Sequence, residues 1–326
     1  MKYYLAPLEG ITRYVQRNAI RKHFGGIDKF FTPFFQPHTK RKLKSKEIND
    51  ILREHNEGIY LVPQILTNSA PDFLEFQKEM KEEYGYNEVN LNFGCPSGTV
   101  TSRNRGSGFL RDKEELNRFL DEVFSKTTNA VSIKTRLGVD NPDEFYEIMD
   151  IYNRYPLHEL IVHGRVLKEH YSGQVHVDIF KDAVKEAKYP VCFNGDMFSK
   201  EIALHTMEKL EEVSNLDSLM IGRGLICNPG LIREIKTGKV ITKEELRDYI
   251  FDIEETYASF LQGDNQILQR LKELWVYMEN MVIADKKLYK KMYKCKSLQE
   301  FHINEEIIIN EGIIDTNITE LFKNKK

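Results

Sequence analysis

Eight short, apolar, β-leaning runs, separated by stretches of helical periodicity, fill the first two-thirds of the chain and leave few folds open to it. The runs cover residues 3–6, 29–32, 60–65, 88–92, 131–135, 159–163, 191–194 and 218–222. Between them, residues 71–83, 113–125, 142–152 and 200–210 place apolar side chains at helical spacing. Asn68-Ser69 precedes the first of these helices and Asp140-Asn141-Pro142 opens the third, both N-terminal signals. Strands alternating with helices of this length build βαβ units around a parallel sheet. Eight of them in roughly 230 residues match an α/β fold of the (β/α)8 TIM-barrel type. A doubly wound sheet is the runner-up, but it requires neither this count nor this even spacing.

After Pro229 the alternation stops. Thr242-Lys243-Glu244-Glu245 has the form of a capping box, and Leu246, Ile250, Ile253 and Tyr257 follow at helical spacing. Leu268, Leu271, Trp275, Met278 and Val282 continue that pattern, and the tail beyond about residue 300 reads as less regular. The expected organisation is therefore a catalytic barrel over 1–240 and a small all-helical domain over 241–326. Met1–Pro7 has no apolar signal core, and no run is long enough to span a bilayer. Cys95, Cys192, Cys227 and Cys295 are scattered and form no CxxC pair, which suits a reducing compartment and argues against a disulfide framework or a zinc site. A cytoplasmic monomer without a metal or a membrane partner is expected.

The formal charge of −3 excludes a globally basic nucleic-acid binder and leaves only local patches for that role. Two exist. Lys40, Arg41, Lys42, Lys44 and Lys46 form one; Lys286, Lys287, Lys290, Lys291, Lys294 and Lys296, interleaved with Tyr289 and Tyr293, form the other. Either run alone reads as a solvated face, whereas two in a mildly acidic chain fit a polyanion tracked along a surface.

Polar residues gather where a barrel places its active site, at the carboxyl ends of the strands. The first strand runs into Pro7-Leu8-Glu9-Gly10 and the third ends at Gln64. The fourth ends at Asn92 and Cys95, the fifth at Lys134-Thr135-Arg136, and the sixth at His163-Gly164-Arg165. Asn194-Gly195-Asp196 and Gly222-Arg223-Gly224 close the seventh and eighth, the usual phosphate-holding pair of such barrels. There glycines let backbone N–H groups approach an oxyanion, and Arg223 can add a charge-assisted pair. Lys134 is costly to bury without an anionic partner. A flavin supplies one, since its reduced ring carries negative charge that a cation stabilises, and Gln64 and Asn92 suit the ring's amide-like edge. Taken singly, Lys134 reads as the partner of a structural carboxylate and His163 as a residue satisfied by backbone; their company reverses that reading. Cys95 taken alone is a small buried hydrophobe.

The segments APLEG at 6–10, VPQI at 62–65, NLNFGCPS at 90–97, IKTRLG at 133–138, HGR with YSG at 163–173, NGD at 194–196 and IGRG at 221–224 resemble, in order, those of the tRNA-dihydrouridine synthases. These flavoproteins reduce particular uridines of tRNA with NADPH. The resemblance implies that Pro7, Leu8 and Glu9 lie against FMN through backbone and that Gln64, Asn92, Lys134 and His163 contact the isoalloxazine. It further implies that Asn194, Gly195, Asp196, Gly222 and Arg223 hold the ribityl-phosphate end, and that Cys95 donates the proton. A thiol with the ordinary pKa of about 8.5 is mostly protonated at neutral pH and can act as that acid. The loop over 98–108 is expected to be flexible and to close over the base, with Arg103 and Arg105 either touching tRNA phosphate or solvated. The helical region resembles the family's tRNA-recognition domain, with Lys286, Lys287, Lys290, Lys291 and Lys294, beside Lys40 and Arg41, as phosphate contacts.

Two rivals remain at this stage. A flavin-dependent dihydroorotate- or dihydropyrimidine-type dehydrogenase acting on a free base would need neither lysine cluster. A non-catalytic tRNA-binding chaperone would not need Cys95, Lys134 and His163 together.

Overall fold

Strands of a parallel sheet are buried on both faces, so they read as nearly continuous apolar runs instead of alternating ones. The computed structural model, which describes residues 1–36 and 43–321, bears out that reading of the runs. Its chain divides into two compact units. The first comprises Met1–Glu9, Asp28–Gly195 and Thr206–Met220; the second comprises Gly10–Ile27, Asp196–His205 and Ile221–Lys326.

The first unit is built on strands β1 (Lys2–Leu5), β2 (Lys29–Phe31), β3 (Leu61–Val62), β4 (Gln64–Ile65), β5 (Glu88–Phe93), β6 (Ala130–Arg136), β7 (Glu159–His163), β8 (Val191–Asn194) and β9 (Leu216–Ile221). Their order in the parallel sheet is β3-β2-β1-β9-β8-β7-β6-β5-β4. The two end strands, β3 and β4, are consecutive in sequence and separated only by Pro63, so the sheet returns to its start as a (β/α)8 barrel whose third strand is interrupted. Proline has no N–H to give a ladder, but its carbonyl still accepts from Asn90 N at 2.9 Å. Thr32 Oγ1 takes the N–H of Gln64 at 2.9 Å, so pairing resumes one residue later.

The helices Ala70–Glu82, Lys113–Lys126, Glu144–Tyr152 and Val177–Ala183 pack side by side in chain order. Ser69 and Asp112 cap the first two, accepting from the N–H groups of Asp72 and Glu115. The third starts at Glu144 instead of Pro142. Its carboxylate reaches back to the N–H groups of Val139, Asp140 and Asn141, so the expected Asp140-Asn141 cap is replaced by a bond from within the helix. Inside the barrel, Tyr4, Ala6, Phe31, Val62, Ile161, Cys192 and Met220 form an apolar cluster, with Leu8 packed against it.

In the second unit the expected capping box is present. Thr242 Oγ1 accepts from Glu245 N at 3.2 Å, and Glu245 returns a carboxylate to Thr242 N at 3.1 Å. It opens the helix Lys243–Ala258, which packs on Tyr14–His23 through Gln16, His23 and Tyr249. Asp264–Met278 buries Leu268, Leu271, Trp275 and Met278 as the spacing requires. Two features differ from expectation. The segment after residue 297 is regular: Ser297 caps the helix Leu298–Glu311. Its isoleucines lower helix propensity, yet Phe301, Ile308 and Ile309 are buried, and that burial outweighs the propensity. The C-terminal region is also not wholly helical, because β10 (Val282–Ile283) and β11 (Ile313–Ile314) form a short antiparallel pair. Among the described residues, no helix is long and apolar enough to cross a membrane.

Candidate active site

At the end of β5 the chain turns sharply, and the turn is held from both sides. Asn92 Oδ1 accepts from Gly94 N at 3.0 Å and from Cys95 N at 2.9 Å, an Asx turn made by the strand's own side chain. On the far side, Cys95 O accepts from Ser107 N at 3.1 Å and from Ser107 Oγ at 2.9 Å. Gly106 sits at φ +56°, where a Cβ would stand 2.6 Å from the Cys95 carbonyl, so glycine is required there. Arg136 Nε donates to Gly94 O at 2.9 Å and its Nη1 to Val166 O at 3.0 Å, tying the turn to the neighbouring strand ends.

The loop that follows is folded, and its second half is packed. Gly98–Thr101 forms a helical turn and Gly106–Arg111 a 3-10 turn, and residues 106–110 are buried. Phe109 anchors it by packing against Phe93 and Phe119, with ring centroids 5.4 and 5.5 Å away. Arg105 Nε donates to Asn68 Oδ1 at 3.1 Å, whereas Arg103 is exposed.

Register brings the other strand-end residues of the first unit together. Asn92 pairs across to Lys134, and Arg136, His163 and Asn194 occupy one row of β6, β7 and β8. Lys134 is partly buried, and no protein hydrogen bond or ion pair reaches its Nζ among the described residues. Burial, with the nearby Arg136 charge, pulls its ammonium down to about 8 from 10.5. The Cys95 thiol shifts the other way: burial holds it above its ordinary value and Glu9 adds to this, while the Ser97 backbone, Arg136 and Lys134 moderate the rise. The thiol is therefore the protonated species at neutral pH.

Gln64 and Asn92 are more engaged than the sequence suggests. Asn92 Nδ2 donates to Gln64 Oε1 at 2.8 Å, and Gln64 Nε2 donates to Asn90 Oδ1 at 2.8 Å. Each amide retains one further N–H. Asn194 Nδ2 donates to Met220 O at 2.7 Å, and a Cβ on Gly195 would meet Val175 at 2.8 Å. Pro7 and Leu8 are half-buried after β1, and Glu9 is exposed.

Sequence reasoning gave no role to Tyr171, although YSG was visible. Its ring is 53% exposed, stands edge-on to His163 at 6.2 Å between centroids, and lies 5.3 Å from the Arg136 guanidinium. Exposed tyrosines are individually ordinary; one resting on two strand-end residues of a candidate site is not.

The second unit carries the rest of the candidate set. Arg223 pairs with Asp196 at 2.6 Å, and its guanidinium lies 5.2 Å from the Phe198 ring. Gly222 precedes the short helix Arg223–Cys227, and Gly224 lies so close to the Met197 carbonyl that a Cβ cannot be accommodated. Lys286, Lys287, Lys290, Lys291 and Lys294 are all exposed on the helix Lys286–Lys294, while Tyr289 and Met292 face inward. Lys40 and Arg41 lie outside the described residues.

A sequence profile described as dihydrouridine synthase matches residues 4–313. A tRNA-dihydrouridine synthase B from Pasteurella multocida is 27% identical over 84% of this chain and 77% of its own length. A tRNA-dihydrouridine(16) synthase from Pseudomonas putida is 28% identical over 73% of this chain and 74% of its own.

Proposed function

Because the chain belongs to the dihydrouridine synthase family, we propose that it reduces the C5=C6 bond of uridines in tRNA, with FMN as its resident flavin and NADPH as reductant. The observation that carries this reading is that Lys134 pairs in register with Asn92, whose side chain holds the Cys95 turn. Among the described residues no carboxylate is bonded to Lys134, a partly buried cation, and the Cys95 thiol is held protonated on a clamped turn. A cation in that state fits a ligand that brings its own negative charge. FMN fits the remaining donors as well. Gln64, Asn92, Lys134 and His163 would hold the ring, and Pro7, Leu8 and Glu9 would line it through backbone. Asn194, Gly195, Asp196, Gly222 and Arg223 would hold the ribityl-phosphate end.

When bound, FMN supplies hydride to C6 of the base. Negative charge then develops on the uridine at C5 and O4, and C5 must receive a proton. Cys95 is the acid that delivers it: burial keeps the proton on sulfur, and the bonds from Asn92 and Ser107 fix the backbone that aims it. Lys134 stabilises charge at the flavin end. A uridine must leave its stack to reach such a site, so a separate surface has to grip the folded RNA. The exposed lysines of Lys286–Lys294 supply phosphate contacts of the kind that make affinity salt-dependent, with Lys40, Arg41, Arg103 and Arg105 as further candidates.

The test separates the two half-reactions. Cys95→Ala retains bound flavin and its reduction by NADPH, and forms dihydrouridine in tRNA on the order of 100-fold more slowly or less. Undiminished product formation rejects the acid role. Equal turnover of free uridine or dihydroorotate rejects tRNA as the substrate.

A further inference from the structure

A column of hydrogen bonds runs through the first unit from a buried carboxylate to the Cys95 turn, and its polarity can be read without ambiguity. Glu88, at the start of β5, sits 3.1 Å from Lys29 Nζ and accepts Tyr60 Oη at 3.0 Å. Ser132 Oγ donates its single hydrogen to Glu88 Oε1 at 2.7 Å, so toward Asn90 it can only accept, and Asn90 Nδ2 donates to it at 2.9 Å. Asn90 must then turn its oxygen to Gln64, Gln64 its oxygen to Asn92, and Asn92 its oxygen to the N–H groups of Gly94 and Cys95. Asn90, Ser132 and Gln64 are fully buried. No water can therefore take over a missing link without a rearrangement of the core.

We infer that Asn90 and Ser132, which touch neither the substrate nor the flavin in the reading above, are positioning residues for Cys95. The Glu88 carboxylate fixes the direction of every amide above it, and that direction places an acceptor at the Cys95 turn. An Asn92 amide in the opposite sense would present N–H to N–H and release the turn. The barrel interior thus sets the aim of the thiol from its far end. The inference rests on the assignment of Cys95 as the acid.

The test uses the flavin-loaded protein and two substitutions at one site. Asn90→Leu keeps volume but removes both polar atoms, leaving Gln64 free to flip. Asn90→Asp keeps an oxygen toward Gln64 in either protonation state, and its neutral form also donates to Ser132. Alkylation by iodoacetamide reports Cys95 selectively, because the other three cysteines are buried. Asn90→Leu is expected to raise the Cys95 alkylation rate about tenfold and to slow product formation about tenfold. Asn90→Asp is expected to restore both. If Asn90→Leu does not fold or load flavin, Ser132→Ala is read in the same way, with Ser132→Thr as its rescue. A folded breaking variant with the wild-type alkylation rate overturns the inference, as does an Asp variant as perturbed as the Leu one. If Cys95→Ala still reduces tRNA, the acid assignment fails, and the alkylation series judges the positioning separately.

Discussion

Lys134 offers the clearest quantitative test, because a ligand-binding lysine and a structural one differ in sign. Its folded proton affinity falls from 10.5 to about 8, first through burial and then through Arg136. At about 1.4 kcal/mol per tenfold change in proton affinity, holding this ammonium charged costs the flavin-free fold about 3 kcal/mol near neutral pH. Lys134→Met removes that cost while conserving most of the volume, so the flavin-free variant should be more stable than wild type by about 2–3 kcal/mol at about pH 7. The sign with pH follows from proton binding. Between about 8 and 10.5 the unfolded lysine is protonated and the folded one is not, so wild-type stability rises with pH relative to the variant. Lys134 therefore contributes fully above its unfolded value, and that contribution is lost as pH falls through about 8. Urea titration of both flavin-free proteins by far-ultraviolet circular dichroism, at about pH 7 and about pH 10, should show the variant's advantage shrinking toward zero. The variant should also lose FMN. Equal stability at neutral pH, or an advantage that grows with pH, would mean that Lys134 carries no such burial cost.

Further outcomes are expected elsewhere. Changing Lys290, Lys291 and Lys294 together to Glu should weaken tRNA binding and flatten its logarithmic salt dependence by about 3 in slope, one for each phosphate no longer neutralised, as read in a salt-titrated binding assay. NADPH-dependent flavin reduction should be unaffected. Glu305, which accepts from Trp275 Nε1, is pushed up to about 8 by burial, tempered by that bond. Its contribution to stability is present below about 4.5 and lost as pH rises through about 8. Glu305→Gln should therefore flatten the pH dependence of unfolding in that window. Thr242→Ala, which removes one half of the capping box, should cost about 1 kcal/mol in the same denaturation assay.

The barrel was legible because its strands are buried on both faces and stretches of helical period separate them. Strand positions came within a residue or two. Only the break at Pro63 had to be seen in three dimensions, since its consequence, closure through Asn90 and Thr32, depends on partners distant in sequence. Around the site, residue types at strand ends pointed to Cys95, Lys134 and His163, and register places His163 two rows beyond Lys134, on the same face of the sheet. Three features were hidden. The loop after Cys95 looked too polar to pack, because Phe109 alone among its neighbours signals the Phe93–Phe119 anchor. Asn90, Ser132 and Glu88 read as ordinary strand residues, and only cross-strand geometry reveals a directional chain. The helix at Leu298–Glu311 was obscured by isoleucines whose burial, not their propensity, decides the outcome.

The most direct measurement is nucleoside mass analysis of an unmodified tRNA transcript incubated with the flavin-loaded protein and NADPH. Uridines at discrete positions are expected to gain two hydrogens, with the gain lost in Cys95→Ala. A flavin-loaded protein that oxidises NADPH yet leaves every uridine unchanged would contradict that expectation.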